Sequence, residues 1–288
     1  MEEPKARTLN QSRTASKKFS VLPAMSPNFQ CLIRFKSSSG DTFYGELGTE
    51  IEATRDNLIG LDVPVLSPVP ATPIFQCVVI NYKTHIGEVG LSAGDYPVIF
   101  TKSSDALAGP YDEIPINDAC KLIDYEAEPS FIIGKDCKNV KDRAEALSCI
   151  LGYTCGNDVS SRFWQMPEGS GNQHGSAKLF DKFAPLGPTI LHPSMVDEKL
   201  GLRIRTFVNG EVRQDARTTD LVFVAAEIIC HLTRGTTLRK GTVVMTGTPG
   251  GVAAFMKPPK WSSDGDVVEI DIEGIGRMRN TMRLEKTS

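Results

Sequence analysis

The chain lacks most of the signatures that assign a function class at sight. Its seven cysteines (31, 77, 120, 137, 149, 155 and 230) contain no C-x-x-C pair, and their number is odd. That argues against a disulfide framework or a structural zinc site and for a reducing compartment, with most thiols acting as small buried hydrophobes. No basic run with interleaved aromatics occurs and the net charge is −3, so no nucleic-acid partner is expected. No membrane span is expected either: the most apolar helical run, Leu221 to Leu232, is short and carries Glu227. An apolar signal-peptide core is missing, which argues against secretion. Arg7, Arg13, Lys17 and Lys18 suit a transit peptide while Glu2 and Glu3 oppose one, so a cytoplasmic location is expected, with a mitochondrial one as the alternative. No repeat of fixed period is present.

What remains is an ordinary globular composition, 40% hydrophobic and 23% charged over 288 residues, enough for one large domain and a smaller one. Residues 1–27 are polar and Ser-, Lys- and Arg-rich, and read as a disordered leader. Phe29–Phe35 and Thr42–Leu47, separated by Ser-Ser-Ser-Gly-Asp, read as a hairpin. With a linker holding Pro64, Pro68, Pro70 and Pro73, they define a small N-terminal β module over 28–73. From 74 to 288 strand patterns dominate, at 74–81, 97–102, around Glu126, 153–159, 202–208, 243–246, 267–272 and 276–283. Helical patterns are few: 140–149, and 220–233 with Asp220 as a candidate N-cap. Many strands without regular β-α alternation predict an α+β, mostly β fold.

The chemistry is carried by acidic residues. Glu126 and Glu128 are two apart in a segment that becomes a strand, so they share a face about 7 Å apart along the chain. Two buried carboxylates on one face repel each other and cost desolvation energy, and a divalent cation would relieve both. By itself such a pair more often simply faces solvent. A third ligand would decide, and Asp158 ends an apolar strand where Asp is a poor strand former. It either caps the next turn or completes a three-carboxylate site. All-oxygen ligation favours Mg²⁺, Mn²⁺ or Ca²⁺ over zinc.

His85 and Glu88 lie three apart after a strand. In a helical turn they are neighbours, and a carboxylate that orients an imidazole suits a general base. His174, His192 and His231 are read as surface residues, His231 at a helix end. The Gly-rich Thr246–Val252 segment follows a strand and presents backbone N–H groups suited to an anion, without the Gly-Lys-Ser/Thr ending of a nucleotide loop. Lys178 is either a partner for a substrate carboxylate or a solvated lysine.

Taken together, Asn81-Tyr-x-x-His85, Asp124-Tyr-Glu-x-Glu128, Asn157-Asp-Val-Ser-x-Arg162-x-Trp-Gln165, Lys178-x-Phe-Asp-x-Phe-x-Pro-Leu-Gly-Pro188 and Thr246-Gly-Thr-Pro-x-Gly-Val252 make the chain resemble the fumarylacetoacetate hydrolase superfamily from Ile74 to the C-terminus. It is most similar to the longer fumarylacetoacetate-hydrolase-domain proteins. The resemblance implies a mixed β-sandwich-roll catalytic domain and a homodimer. It implies a Mg²⁺ or Mn²⁺ site on Glu126, Glu128 and Asp158, His85 with Glu88 as the acid–base pair, and Lys178 near the metal. It places Lys102, Arg162, Gln165 and Thr248 at substrate-contact positions. Substrates of the family are 2-oxo or 1,3-dioxo carboxylates, handled through a metal-stabilised enolate. C–C bond hydrolysis is the leading expectation, with oxaloacetate tautomerisation or decarboxylation as the alternative and a catalytically altered metal-binding scaffold as a further one. Two residues depart from the family pattern: Phe163, where Asp is usual, and Pro129 after the second Glu, where its missing N–H is best tolerated at a strand edge or bulge.

Overall fold

A computed structural model describes residues 19–22, 29–47, 63–197 and 199–285. Its centre is the strand Ala127–Ile133, buried at every position. A strand covered on both faces needs apolar side chains in both directions, and this one supplies them. Phe131 and Ile133 turn toward Ile150, Val244 and the helix Ala225–Leu232, while Ile132 turns toward Phe75, Ile190 and Met245. Ala127–Ile133 pairs antiparallel with Ile150–Asn157 on one side and Val243–Met245 on the other. Among the described residues these belong to a ten-stranded mixed sheet, which continues through Phe75–Val79 to Val98–Lys102 at one edge.

The hairpin Cys31–Lys36 and Thr42–Leu47 forms where expected, but it is continuous with the large sheet. Cys31, Leu32 and Ile33 pair with Leu191, Ile190 and Thr189. Within the stretch read as a disordered leader, Phe19–Leu22 instead adds a further strand to Thr42–Leu47. The rest of that stretch lies outside the described residues. The Pro-rich connection runs beside the hairpin, with the amide of Leu66 donating to the Arg34 carbonyl.

A second sheet orders Glu211–Arg217, Arg203–Val208, Val267–Ile272, Gly276–Leu284 and Glu113–Ile116. Alternation along Val267–Ile272 buries Val268, Ile270 and Ile272, and these join Ile204, Met278, Tyr125 and Cys155 in the core between the sheets. The fold is therefore mostly β, as expected. The helices are shorter than the sequence pattern suggests: Arg143–Leu147, capped by the Asp142 side chain, and Ala225–Leu232. Asp220 does not cap the second; its carboxylate accepts from the amide and hydroxyl of Thr84 at 3.0 and 2.8 Å. Glu227 accepts from the Val224 amide at that helix start instead. No helix among the described residues is long and apolar enough to cross a membrane.

Candidate active site

Register brings the acidic residues together. Ala127 lies opposite Asn157 and Glu128 opposite Gly156, so Glu126 and Asp158 leave the sheet side by side. Asn157 fixes the junction by accepting from the Glu126 amide at 3.0 Å, and the Asp158 amide donates to the Glu126 carbonyl at 2.9 Å. Glu126, Glu128 and Asp158 each present one carboxylate oxygen within 4.8 Å of the others, and all three are buried.

Burying charge is costly unless it is compensated, and most of this cluster is. Lys102 Nζ donates to Asp158 Oδ1 at 2.6 Å and to two backbone carbonyls. Lys178 Nζ bridges Glu126 Oε2, at 2.7 Å, and Asp158 Oδ2. Arg162 holds Glu126 Oε1 through one nitrogen and Asp124 Oδ2, at 2.9 Å, through Nε. Asp124 is itself anchored by the amides of Ala253 and Ala254. Burial alone pushes the Glu126 carboxyl up, but Arg162 and Lys178 outweigh it and hold it well below the usual carboxylate range. Burial pulls Lys178 down, and Asp158 and Glu126 reverse this.

Glu128 is the exception. Its hydrogen-bond donor is the Gly247 amide at 2.8 Å, and among the described residues no cation forms an ion pair with it. Burial, then Asp158 and Glu126, push its carboxyl well above the usual range. Gly247 has φ of 92°, and a Cβ there would stand 2.8 Å from that of Asn81, so glycine permits this approach. The Gly-rich loop does offer an N–H, and its acceptor is the protein's own Glu128 carboxyl. Four acids (Asp124, Glu126, Glu128, Asp158) thus face three cations (Lys102, Arg162, Lys178). Three oxygen ligands, one of them without a cationic partner, fit a hard divalent cation, whose charge would turn the site positive and suit it to an anionic substrate.

A cavity of about 250 Å³ brings the rest of the site to these groups: Glu126, Glu128, Arg162 and Lys178 line it together with His85 and Thr248. His85 sits on the helix Lys83–Val89, and its Nδ1 is 2.8 Å from Glu88 Oε2. Glu88 Oε1 accepts from the Gly251 amide at 3.0 Å, and Phe255 packs against the imidazole edge-on at 5.6 Å. With Nδ1–H donated to a carboxylate, Nε2 is left to face the cavity as a base. Thr248 is set by Gln214, whose Nε2 donates to its hydroxyl at 2.8 Å.

Nine of the ten residues singled out from the sequence therefore meet around or immediately behind this cavity. Lys102 differs from the expected substrate contact: it is fully buried beside Asp158, whose carboxylate it neutralises, and it does not line the cavity. Three contributors went unseen in the sequence. Asp124 positions Arg162, Gln214 positions Thr248, and His174 lines the cavity instead of lying on the surface. Their partners lie 38, 34 and 9 residues away, at distances no local pattern reports.

Neither departure from the family pattern disturbs the carboxylates. Phe163 packs against Trp164, and Lys121 lies 4.9 Å over its ring. Pro129 is in a central strand, not at an edge. Its carbonyl accepts from Thr246, just past the last rung formed by Met245 and Ser130. A missing N–H on that side breaks no ladder bond.

Comparison with known proteins agrees with this geometry. The family described as fumarylacetoacetate (FAA) hydrolase, C-terminal, matches residues 75–283. The chain belongs to the fumarylacetoacetate hydrolase family. Among the relatives of this family member is the mitochondrial oxaloacetate tautomerase fahd2 of Xenopus laevis, 34% identical over 259 residues, covering 90% of this chain and 81% of the relative. A 5-carboxymethyl-2-hydroxymuconate delta-isomerase from Mycobacterium smegmatis superposes with a TM-score of 0.75 at 33% identity, over 90% of this chain and all of the other. A fumarylacetoacetate hydrolase from Exiguobacterium antarcticum superposes with a TM-score of 0.76 at 30% identity, over 89% of this chain and all of the other. This family member is thus an enzyme of the fumarylacetoacetate hydrolase type, with an acidic triad able to hold a metal ion.

Proposed function

We propose that the protein is a divalent-metal-dependent tautomerase of a 2-oxo dicarboxylic acid such as oxaloacetate. The observation that carries the reading is the meeting of two unlike groups at one small cavity. Glu126, Glu128 and Lys178 line it, with Asp158 buried behind them, and so does His85, whose Nδ1 is held by Glu88. The order of the two leading sequence expectations is reversed here. Hydrolysis needs a water held for attack on a carbonyl, whereas tautomerisation asks only that a proton move, and relatives named as tautomerases and isomerases support the simpler demand.

Glu126, Glu128 and Asp158 would hold Mg²⁺ or Mn²⁺, which supplies Lewis-acid polarisation of adjacent substrate oxygens. Lys178 and Arg162 attract the substrate's negative charge and orient it. His85 Nε2 takes a proton from the carbon next to the oxo group and returns it to oxygen, or the reverse. Glu88 keeps the imidazole in the required tautomer and offsets its positive charge while the proton is held. Phe255 and Phe100 limit water around the reacting carbon. The homodimer expected from the family resemblance belongs to the same proposal, and light scattering should return twice the mass of one chain. A mitochondrial location draws support from the mitochondrial relative.

The test is to add the enol form of oxaloacetate to the Mg²⁺-loaded protein and to an EDTA-treated control, following enol absorbance and the proton NMR spectrum. Metal-dependent loss of enol with no pyruvate formed is the expected result. Pyruvate from oxaloacetate would identify a decarboxylase. Acetate and pyruvate from acetylpyruvate in a parallel sample would restore hydrolysis as the activity.

A further inference from the structure

We infer that His174 is a specificity-determining residue, a neutral N–H donor for the far carboxylate of the substrate; this rests on the 2-oxo dicarboxylate reading above. Arg162 offers only donors, so the Gln165 atom 3.0 Å from its Nη1 is the amide oxygen. The orientation of the Gln165 amide is thereby fixed, and its Nε2–H points at His174 Nδ1, 3.1 Å away. An imidazole nitrogen that receives a hydrogen bond carries no proton, so the ring proton is on Nε2.

The ring plane is fixed as well. His174 stacks on Phe100 with centroids 5.6 Å apart and 25° between planes, while Lys178 Nζ lies 4.8 Å over the same phenyl ring. Among the described residues no protein acceptor meets His174 Nε2–H, and the ring lines the cavity. Burial and the nearby Lys178 both disfavour a charged ring, so the donor is an uncharged one. Arg162, held by Asp124 and Glu126, therefore starts a chain of donated hydrogen bonds that runs through Gln165 to His174, a donor on the cavity wall with no acceptor among the described residues. The carboxylate-rich wall engages the oxo acid end of the substrate. An N–H donor set one guanidinium and one amide away from Glu126 suits the other end, and a carboxylate is the acceptor that gains most from it.

The test compares oxaloacetate with its 4-methyl ester, which lacks the far negative charge, in wild type, His174→Leu and His174→Gln, all Mg²⁺-loaded. Nitrogen-15 NMR of the imidazole is recorded alongside. His174→Leu should raise KM for oxaloacetate about tenfold or more, with kcat changed less than about twofold and KM for the ester nearly constant. His174→Gln, which keeps an N–H donor, should recover most of the loss. The NMR spectrum should show a neutral Nε2–H ring whose Nε2 resonance moves on adding oxaloacetate and not the ester. An Nδ1–H or doubly protonated ring at neutral pH, or an equal KM rise on both substrates, would overturn the assignment. If wild type turns over neither compound, the tautomerase reading fails; the Nε2 response to oxaloacetate against the ester then still decides the role of His174.

Discussion

The two walls of the cavity solve opposite problems. The carboxylate wall rises from adjoining strands in the middle of the large sheet, where the Glu126 and Asp158 side chains are 0–7% exposed and joined to Lys102, Arg162 and Lys178. The His85 wall is a seven-residue helix and a glycine-rich loop, where Glu88 is 23% exposed and is held by a single loop amide. Like charges at close range need a scaffold that cannot relax apart, and paired strands with fixed register provide it. A proton carrier needs water-accessible neighbours and some freedom to reorient. The lesson is that the fold invests its rigidity where charge is concentrated and leaves the proton-transfer side on lighter supports.

The sharpest way to break this contrast is Asp158→Ala. It strips a ligand and leaves Lys102 and Lys178 short of a partner, so we expect loss of activity, loss of Mg²⁺-induced thermal stabilisation, and destabilisation of about 3–5 kcal/mol in denaturant titration. Unchanged melting with and without Mg²⁺ in both proteins would refute the metal site. His85→Ala should act on one wall only: turnover falls by about 10²–10⁴ while Mg²⁺ still raises the melting temperature. A fully active variant would remove His85 from the mechanism.

A pH titration of the metal-free protein sharpens the comparison further. Glu128 has its carboxyl raised in the fold above the unfolded value, so the folded state holds a proton that the unfolded chain gives up. Its contribution to stability is present at low pH and lost as pH rises through the raised value. Glu126 and its cations work in the other direction, with stability present above the ordinary carboxylate range and lost on acidification. Calorimetry of Mg²⁺ binding should show proton release on the low side of the raised Glu128 value, and Glu128→Gln should abolish it. Glu88→Gln should have the smallest effect, about tenfold on kcat, because the helix still places the imidazole and only its orientation and charge balance suffer.

The same contrast explains what was legible in the sequence. Glu126, Glu128 and Asp158 stand out because an acid in an apolar strand violates local preference, and His85 with Glu88 because helical spacing makes them neighbours. Lys102 is illegible in sequence because a lysine ending a strand looks the same whether it meets water or, as here, an aspartate 56 positions on. His174 was passed over because its surroundings in sequence are glycine, serine, asparagine and glutamine, and its aromatic partner Phe100 is on a distant strand. Asp220 has the chemistry of a helix cap, but Thr84 claims its carboxylate first. The hairpin was expected as a separate module because strand patterns do not say which sheet a strand joins, and pairing with Ala184–Leu191 decided that.

Gln214 shows where such a molecule can and cannot drift. Its side-chain oxygen accepts from the Ala127 amide and the Thr206 hydroxyl, and its nitrogen donates to the Thr248 hydroxyl and the Pro249 carbonyl. All four valences of one amide are spent, on the second sheet, the start of the central strand and the loop over the cavity. A glutamate there would set two acceptors against each other at the Pro249 carbonyl and force the Thr248 hydroxyl to turn and donate, and a shorter asparagine would reach fewer of the four partners. The outer sheet is thus wired to the chemistry by one saturated node, so substitutions far from any substrate can retune the loop through it.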